Sequence, residues 1–179
     1  MPELLAPAGN LEKLITAVHY GADAVYLGGK NLSLRAKAGN FSKEDMAKGV
    51  SFAHEHGRKV YVTVNVLAHN YDLDNLERYL EELSKENVDG IIVSDPGILG
   101  LAAKCIPHIP IHLSTQANVT NYAAAEFWLQ QGVIRLNLAR ELSLEEISTI
   151  CKYVQGEVEV FIHGALCISY SGRCMLSNN

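Results

Sequence analysis

A chain of 179 residues with 48% hydrophobic content can bury a sizeable core, and one soluble, globular domain is its natural reading. The formal net charge of −5 argues against a surface that meets nucleic acid all over, since phosphate contacts need clustered lysine and arginine. No apolar run approaches the ~20 residues that cross a bilayer, and Met1-Pro2-Glu3-Leu4 lacks the basic start and long apolar core of a signal peptide, so the expected compartment is the cytoplasm, with no membrane partner.

Leu4-Leu5-Ala6 reads as a short apolar strand ended by Pro7-Ala8-Gly9, and Asn10 caps a helix striped by Leu11, Leu14, Ile15 and Val18. Gly21 closes that helix before a second strand, Ala24-Val25-Tyr26-Leu27. A polar loop from Gly28 to Phe41 precedes Ser42-Lys43-Glu44-Asp45, a capping-type start for a helix striped by Met46, Val50 and Ala53 and stopped by Gly57. The third strand is Lys59 to Val64, the third helix carries Leu73, Leu76, Leu80 and Leu83, and the fourth strand is Gly90 to Val93. An apolar helix ending at Cys105 leads to the fifth strand, Ile111 to Leu113, a helix spans about Asn121 to Gln131, and the sixth strand is Ile134 to Leu138. Ser143-Leu144-Glu145-Glu146 is a capping box that opens a helix striped by Leu144, Ile147, Cys151 and Val154. Gly156 then releases a seventh strand, with Val158, Val160 and Ile162 on one face and Glu159 and Phe161 on the other.

Strands alternating with helices or helix-length connections predict an α/β fold, a (β/α) TIM-barrel-like parallel sheet. An open doubly wound sheet is the alternative, but no G-x-G-x-x-G follows the first strand. A complete barrel takes eight βα units and typically ~250 residues. This chain stops five residues after Cys174 with no eighth strand, so residues 1–179 are expected to form an incomplete, seven-stranded N-terminal domain of a longer protein. Its exposed sheet edge would be covered by a second copy, through self-association, or by the tail from Cys167 to Asn179.

The seventh strand runs into His163-Gly164 and then Cys167 and Cys174, with Gly172 allowing a short loop to curve back so that both thiols face one point. Four cysteines without a dense framework argue for reduced thiols, and Cys105 and Cys151 read as core residues. A Cys-x6-Cys spacing suits neither the redox Cys-x-x-Cys pattern nor a structural zinc site, and two buried cysteines or iron–sulfur ligation are equally open on spacing alone.

A barrel places its chemistry on the loops after its strands. Those loops carry Arg35; Asn65 and His69; Ser94 and Asp95; Ser114, Gln116 and Asn118; Arg140 and Glu141; and His163. About half of such a set is polar only because loops are wet. Arg35 and Arg140 suit bidentate contacts to a small dicarboxylate or a phosphate. Asn65, Gln116 and Asn118 are candidate substrate contacts, the last two sharing strand parity with Ser114, and His163, Glu141 and Asp95 are candidate acids and bases. Between Ala24 and Lys43 stand Lys30, Arg35, Lys37 and Lys43 with no anion, which fits a local anion-binding patch and a solvated loop equally well. Neither H-E-x-x-H nor G-x-S-x-G occurs; His54 and His56 have the wrong spacing for a metal pair and suit a helix C-terminus, and a cysteine protease would need His163 beside Cys167 or Cys174.

The run E-x-F-x-x-G-A-L-C-x4-G-x-C-x-L-S, Glu159 to Ser177, resembles the signature of the U32 peptidase family. PELLAPAGN at Pro2, YGADAVYLG at Tyr20, SDPG at Ser94, HLSTQAN at His112 and RELSLEEI at Arg140 resemble the branch that contains the bacterial tRNA hydroxylation proteins. The resemblance implies hydroxylation of a wobble uridine in tRNA to 5-hydroxyuridine, with prephenate as co-substrate. It also implies a 4Fe-4S cluster in the longer protein. Cys167 and Cys174 would be two of its thiolates and further cysteines beyond this chain the rest, so that the fragment alone is expected to hold no cluster and to be inactive. Contact with tRNA would be local, through Lys30 to Lys43. The family's name implies a peptidase as the alternative, and a non-catalytic anion-binding barrel is the third reading.

Overall fold

The computed structural model describes residues 2–29, 32, 40–164 and 167–174. Its elements are β1 (Leu5–Pro7), α1 (Leu11–His19), β2 (Ala24–Gly28), α2 (Lys43–Glu55), β3 (Lys59–Val64), α3 (Asn70–Leu73) and α4 (Leu76–Lys85). There follow β4 (Gly90–Val93), α5 (Pro96–Cys105), β5 (Ile111–Leu113), a 3-10 turn (Thr115–Ala117), α6 (Tyr122–Gln130), β6 (Arg135–Asn137), α7 (Leu144–Tyr153) and β7 (Glu157–Glu159). Helix starts follow the side chains that can cap them: Asn10, Ser42, Asn121 and Ser143 each accept the amide three residues on.

The seven strands lie in the order β1 to β7, every neighbouring pair parallel. Alternation along each strand divides the side chains between two environments. Val25, Leu27, Val60, Val62, Val64, Ile91, Val93, Leu113 and Leu136 share one large apolar cluster with helix residues Leu14, Val18, Val50, Leu80, Ile98 and Ile150. On the opposite face Leu5, Ala24, Tyr26, Tyr61 and Ile92 form a much smaller one.

That inner face shows how far the sheet rolls. Glu3, two residues before Leu5 on β1, pairs with Arg135 on β6 at 2.6 Å and accepts from the Tyr61 hydroxyl of β3 at 3.0 Å. In a flat sheet β1 and β6 would lie roughly 24 Å apart, five strand spacings of ~4.8 Å. The contact therefore requires the sheet to curl into a barrel-like half, with Glu3 lying across its bore.

Around this pair the strands' N-terminal ends form one polar layer. Arg135 also grips Glu157, Nε to Oε2 at 2.7 Å and Nη2 to Oε2 at 2.6 Å, and its guanidinium lies 5.1 Å from the Tyr61 ring centre. Tyr61 meets His112 edge to face at 4.5 Å, and Gly90 makes room for both rings, since a Cβ there would stand 3.2 Å from the Tyr61 ring. Burial works against the Glu3 carboxylate, but the Arg135 guanidinium and the Tyr61 hydroxyl outweigh it and hold its pKa below the ordinary value. Burial first, then the positive charge of Arg135, pushes His112 down to about 3, so its ring is neutral and its Nδ1 is buried without a partner among the described residues.

Four sequence expectations need correction. β7 ends at Glu159 rather than Ile162, because β6 offers no partner beyond Asn137; Val160, Phe161 and Ile162 lie past the ladder and are exposed. The third helix divides into α3 and α4 between Leu73 and Leu76. In α7 the inner face is Ile147, Ile150 and Val154, while Leu144 and Cys151 are exposed; Cys151 lies one residue, about 100°, past the core-facing Ile150. The 3-10 turn after β5 breaks the alternation on which the shared parity of Ser114, Gln116 and Asn118 rested. Cys105, by contrast, packs half-buried against the core.

Replacing Arg135 by methionine leaves Glu3 with only the more distant Lys59, at 3.5 Å, and the exposed Glu157 without a cation, and is expected to lower the unfolding free energy by about 1–3 kcal/mol, read from urea denaturation at pH 7. The Glu3 contribution has a defined pH range. It is complete above the ordinary value of 4.5 and is lost as pH falls through the lower folded value, and Glu3→Gln should flatten that acid limb.

Candidate functional site

At the C-terminal ends of the strands the inner face stays polar, and its groups are tied to one another in chain order. The Ser94 hydroxyl after β4 donates to the Asn65 carbonyl after β3 at 3.2 Å, and the Asn65 side-chain amide donates to the Ser114 hydroxyl after β5 at 3.4 Å. On β6, the Asn137 side-chain amide donates to Glu159 Oε1 on β7 at 2.7 Å. Asn137 and Glu159 are the last residues of their strands and face one another in register.

Three side-chain carbonyls in this region, Asn65 Oδ1, Asn118 Oδ1 and Asn137 Oδ1, are buried with no hydrogen-bond partner among the described residues. Asn118 ends the 3-10 turn in the left-handed conformation, φ 53°. Glu159 is partly buried, and loss of solvent is the main cause that raises its pKa to about 7; the charge of Arg135 opposes the rise and that of Glu3 adds to it. A carboxyl that changes protonation near neutrality at the mouth of a barrel is suited to proton transfer or to donating a hydrogen bond.

Over this mouth lies the cysteine segment, residues 167–174, held from β6. Arg140 Nη1 donates to the Cys167 carbonyl, Nη2 to the Ser169 carbonyl at 2.6 Å, and Nε and the backbone amide to Ser171 Oγ at 3.3 and 3.2 Å. The Ser171 amide in turn donates to Glu141 Oε1 at 2.8 Å, and Thr115 Oγ1 lies 3.4 Å from the Ser171 hydroxyl. Slight burial of Glu141 would raise its pKa, but the Ser171 amide and its own backbone hold it below the ordinary value. Ser171 is 1% exposed, the hub of the clamp. Gly172 follows at φ 72°, so close to the strand-five loop that a Cβ would stand 2.4 Å from the Gln116 carbonyl oxygen; both facts demand glycine.

The remaining candidates fall elsewhere. Asp95 is the N-cap of α5, its Oδ1 accepting the Gly97 and Ile98 amides at 2.8 and 3.0 Å. His163 is exposed on the bend after β7. His69 begins α3, its amide donating to Asp72. Arg35, Lys30 and Lys37 lie outside the described residues, and Lys43 faces Glu82 at 3.6 Å. His54 sits in the last turn of α2 against Asp89 at 2.8 Å, and His56 caps that helix.

None of the four cysteines forms a disulfide. Cys167 is exposed and Cys174 half-buried in the segment that Arg140 and Glu141 hold, whereas Cys105 and Cys151 lie toward the C-terminal ends of α5 and α7, which return to the opposite end of the strands. The described residues contain no group of three or more His, Cys, Asp and Glu that could hold a metal ion. Two thiolates at one mouth fit part of a four-thiolate set and no more.

Sequence reasoning passed over Asn137, Glu159 and Ser171. The first two had a signal in strand parity: Leu136 and Val158 point outward, so their polar successors point into the bore. Ser171 had none, since its burial depends on Arg140 and Glu141, some thirty residues away.

The model of peptidase family U32 matches residues 9–179. The chain is 54% identical to tRNA hydroxylation protein P1 of Bacillus subtilis (strain 168), over 99% of its own length and 42% of the relative's. It is 48% identical to tRNA hydroxylation protein P of Escherichia coli (strain K12), over 98% of this chain and 39% of that protein. The chain thus spans about two-fifths of the length of these curated relatives. Among solved structures it is similar in fold to the U32 peptidase Mk0906, with a TM-score of 0.77 and 19% identity, covering 89% of this chain and 68% of the other.

Arg140→Ala and Gly172→Ala should each loosen the cysteine segment without unfolding the sheet. Amide hydrogen exchange at Ser171 is expected to speed up by about tenfold or more in either variant while β3 and β4 amides keep their rates. Glu159 makes a separate forecast. Between 4.5 and about 7 the folded state holds a proton that the unfolded chain has released, so stability falls as pH rises through that window and is flat above it. Glu159→Gln should therefore be more stable than the wild type at pH 8, by about 1–2 kcal/mol after allowance for partial exposure, and equal to it below the window.

Proposed function

Since the chain belongs to peptidase family U32, we propose that the protein acts in the hydroxylation of a uridine in tRNA. The observation that carries this reading is the placement of the family's signature segment. Glu159 opens into the bore at one end of it, and the thiol-bearing residues 167–174 are clamped over the same opening by Arg140, Glu141 and Thr115. Relatives whose names state tRNA hydroxylation match nearly the whole of this chain.

Cys167 and Cys174 would contribute two thiolates to an iron–sulfur cluster, with the others supplied from outside this chain. Such a cluster supplies one-electron redox chemistry. Prephenate is the proposed co-substrate, and its two carboxylates call for cations. Arg140 is not the best of these, since its side-chain donors already bind Cys167, Ser169 and Ser171, which leaves Arg35 as the stronger candidate. Contact with tRNA would run through Lys30, Arg35, Lys37 and Lys43, in a run of sequence without an anion although Lys43 faces Glu82, in a chain of net charge −5, and would therefore be local and only moderately dependent on salt.

Proteolysis is the second reading, favoured by the description of the solved relative as a peptidase. It requires an activated nucleophile, and the hydroxyls of Ser94 and Ser114 at the mouth both bond to Asn65 rather than to a histidine.

The test is genetic. Deleting the gene in its host should abolish or sharply reduce 5-hydroxyuridine and its derivatives in total tRNA, measured by nucleoside mass spectrometry. The wild-type gene should restore them and Cys167→Ala should not. Unchanged hydroxyuridine in the deletion, or full restoration by Cys167→Ala, overturns the proposal. Peptide cleavage by the purified protein that vanishes in the same variant puts the peptidase first.

A further inference from the structure

Between its two cysteines the segment 167–174 places no apolar side chain in the core. Ile168 is fully exposed and Tyr170 is 69% exposed, so neither packs the segment against the sheet. What holds it is a grip by two adjacent residues of opposite charge. Arg140 donates to two of its backbone carbonyls, those of Cys167 and Ser169, and Glu141 accepts from one of its backbone amides, that of Ser171. Ser171 in the middle is the buried member, its hydroxyl oxygen accepting from the Arg140 amide and Nε.

The grip reaches both thiol-bearing residues. Arg140 binds Cys167 through that residue's own carbonyl, which fixes the backbone from which the first thiol projects. Cys174 lies three residues beyond Ser171, after Gly172 at φ 72° and a turn in which the Arg173 amide donates to the Tyr170 carbonyl at 3.0 Å. Protein groups alone thus set the shape of the segment. A ligand loop that is already ordered loses little further freedom when it takes a metal, whereas a loose one must be ordered by the metal itself, and the difference appears as affinity. Groups that hold metal ligands from behind act in this way, and their removal weakens metal binding by about 10–100-fold.

We propose that Arg140 and Glu141 are positioning residues for the cluster thiolates, holding the segment through Ser171 in the shape in which Cys167 and Cys174 take iron. The inference rests on the iron–sulfur reading above and adds what keeps those thiolates in place. It also gives Glu141 a role other than that of an acid or base. Its Oε1 is needed as an acceptor for the Ser171 amide, and an uncharged carbonyl oxygen at the same place makes the same contact. Glutamine therefore replaces it and alanine does not. Arg140 has no such substitute, because lysine cannot present donors at once to the Cys167 carbonyl, the Ser169 carbonyl and the Ser171 hydroxyl.

The test uses the full-length protein, reconstituted anaerobically with iron and sulfide, and follows iron loss to a chelator together with the EPR spectrum of the reduced cluster. Glu141→Gln should lose iron within about twofold of the wild-type rate and give the same spectrum. Glu141→Ala, Arg140→Ala and Arg140→Lys should each lose it about tenfold faster or more, with shifted or broadened g values. Circular dichroism and thermal unfolding show whether each variant folds; Glu141 is exposed, so its two variants decide if those of Arg140 do not fold. A proton-transfer role for Glu141 would leave iron retention untouched in the alanine variant, and that result overturns the proposal. A glutamine variant that loses iron as fast as the alanine one does so too, since charge would then matter and not the acceptor. The readings on which the proposal rests fail differently. A wild type that takes up no iron removes the iron–sulfur reading and the proposal with it. Hydroxyuridine that survives gene deletion, with iron retention still dependent on Arg140 and Glu141, removes the reaction and leaves the positioning residues standing.

Discussion

The ion pair between Glu3 and Arg135 holds together what the sheet alone would leave open. Parallel strands paired only with their neighbours can form a flat or gently twisted sheet, and it is the contact from β1 to β6, at 2.6 Å, that fixes the roll. Arg135 is 11% exposed at its side chain, and with Glu157, Tyr61 and His112 around it the layer resembles a buried polar network more than a surface salt bridge. Such networks are rarely the most stabilising way to fill a core, but they strongly penalise any arrangement that separates their members. Here that penalty acts on curvature. The end of the barrel at the N-termini of the strands is pinned by charge, and the opposite end keeps a row of polar side chains, Asn65, Ser94, Ser114, Asn137 and Glu159, bonded to one another.

Much of the architecture was legible in the chain. Capping residues, glycine stops and apolar strands gave the element order and the parallel, barrel-like sheet, because those signals are local. Boundaries that depend on a partner were less visible. Val160 and Ile162 continue the apolar alternation of Val158, yet β7 stops where β6 stops, and pairing is decided between strands rather than within one. The face of α7 was misread for a related reason: Leu144, Ile147 and Cys151 make as good a stripe as Ile147, Ile150 and Val154 until the sheet chooses between them.

The site divides in the same way. The segment bearing Cys167 and Cys174 announced itself, because cysteines and glycines after a strand are conspicuous. The roles of Arg140, Glu141 and Asp95 did not, since polar residues on βα loops look alike until their partners are known. Arg140 proves to be structural support for the thiol segment and Asp95 a helix cap. Glu159 and Asn137, by contrast, lie within strands and carry no motif of their own. Only knowledge of which face is the bore turns them from ordinary strand polarity into the most distinctive pair at the mouth.

The clamp on Ser171 also limits how this segment can vary. One planar guanidinium reaches the carbonyls of Cys167 and Ser169, two residues apart, while its Nε holds the Ser171 hydroxyl. The spacing of those three acceptors is therefore matched to the width of a single side chain. An inserted or deleted residue between Cys167 and Ser171 would take at least one of them out of reach, and lysine at position 140 could not span them. Exchange of Arg140 should accordingly be tolerated only together with a change in the segment's length or conformation. The distance between the first thiol and the barrel rim is in this sense set from the far end of the clamp, by a residue that carries no thiol.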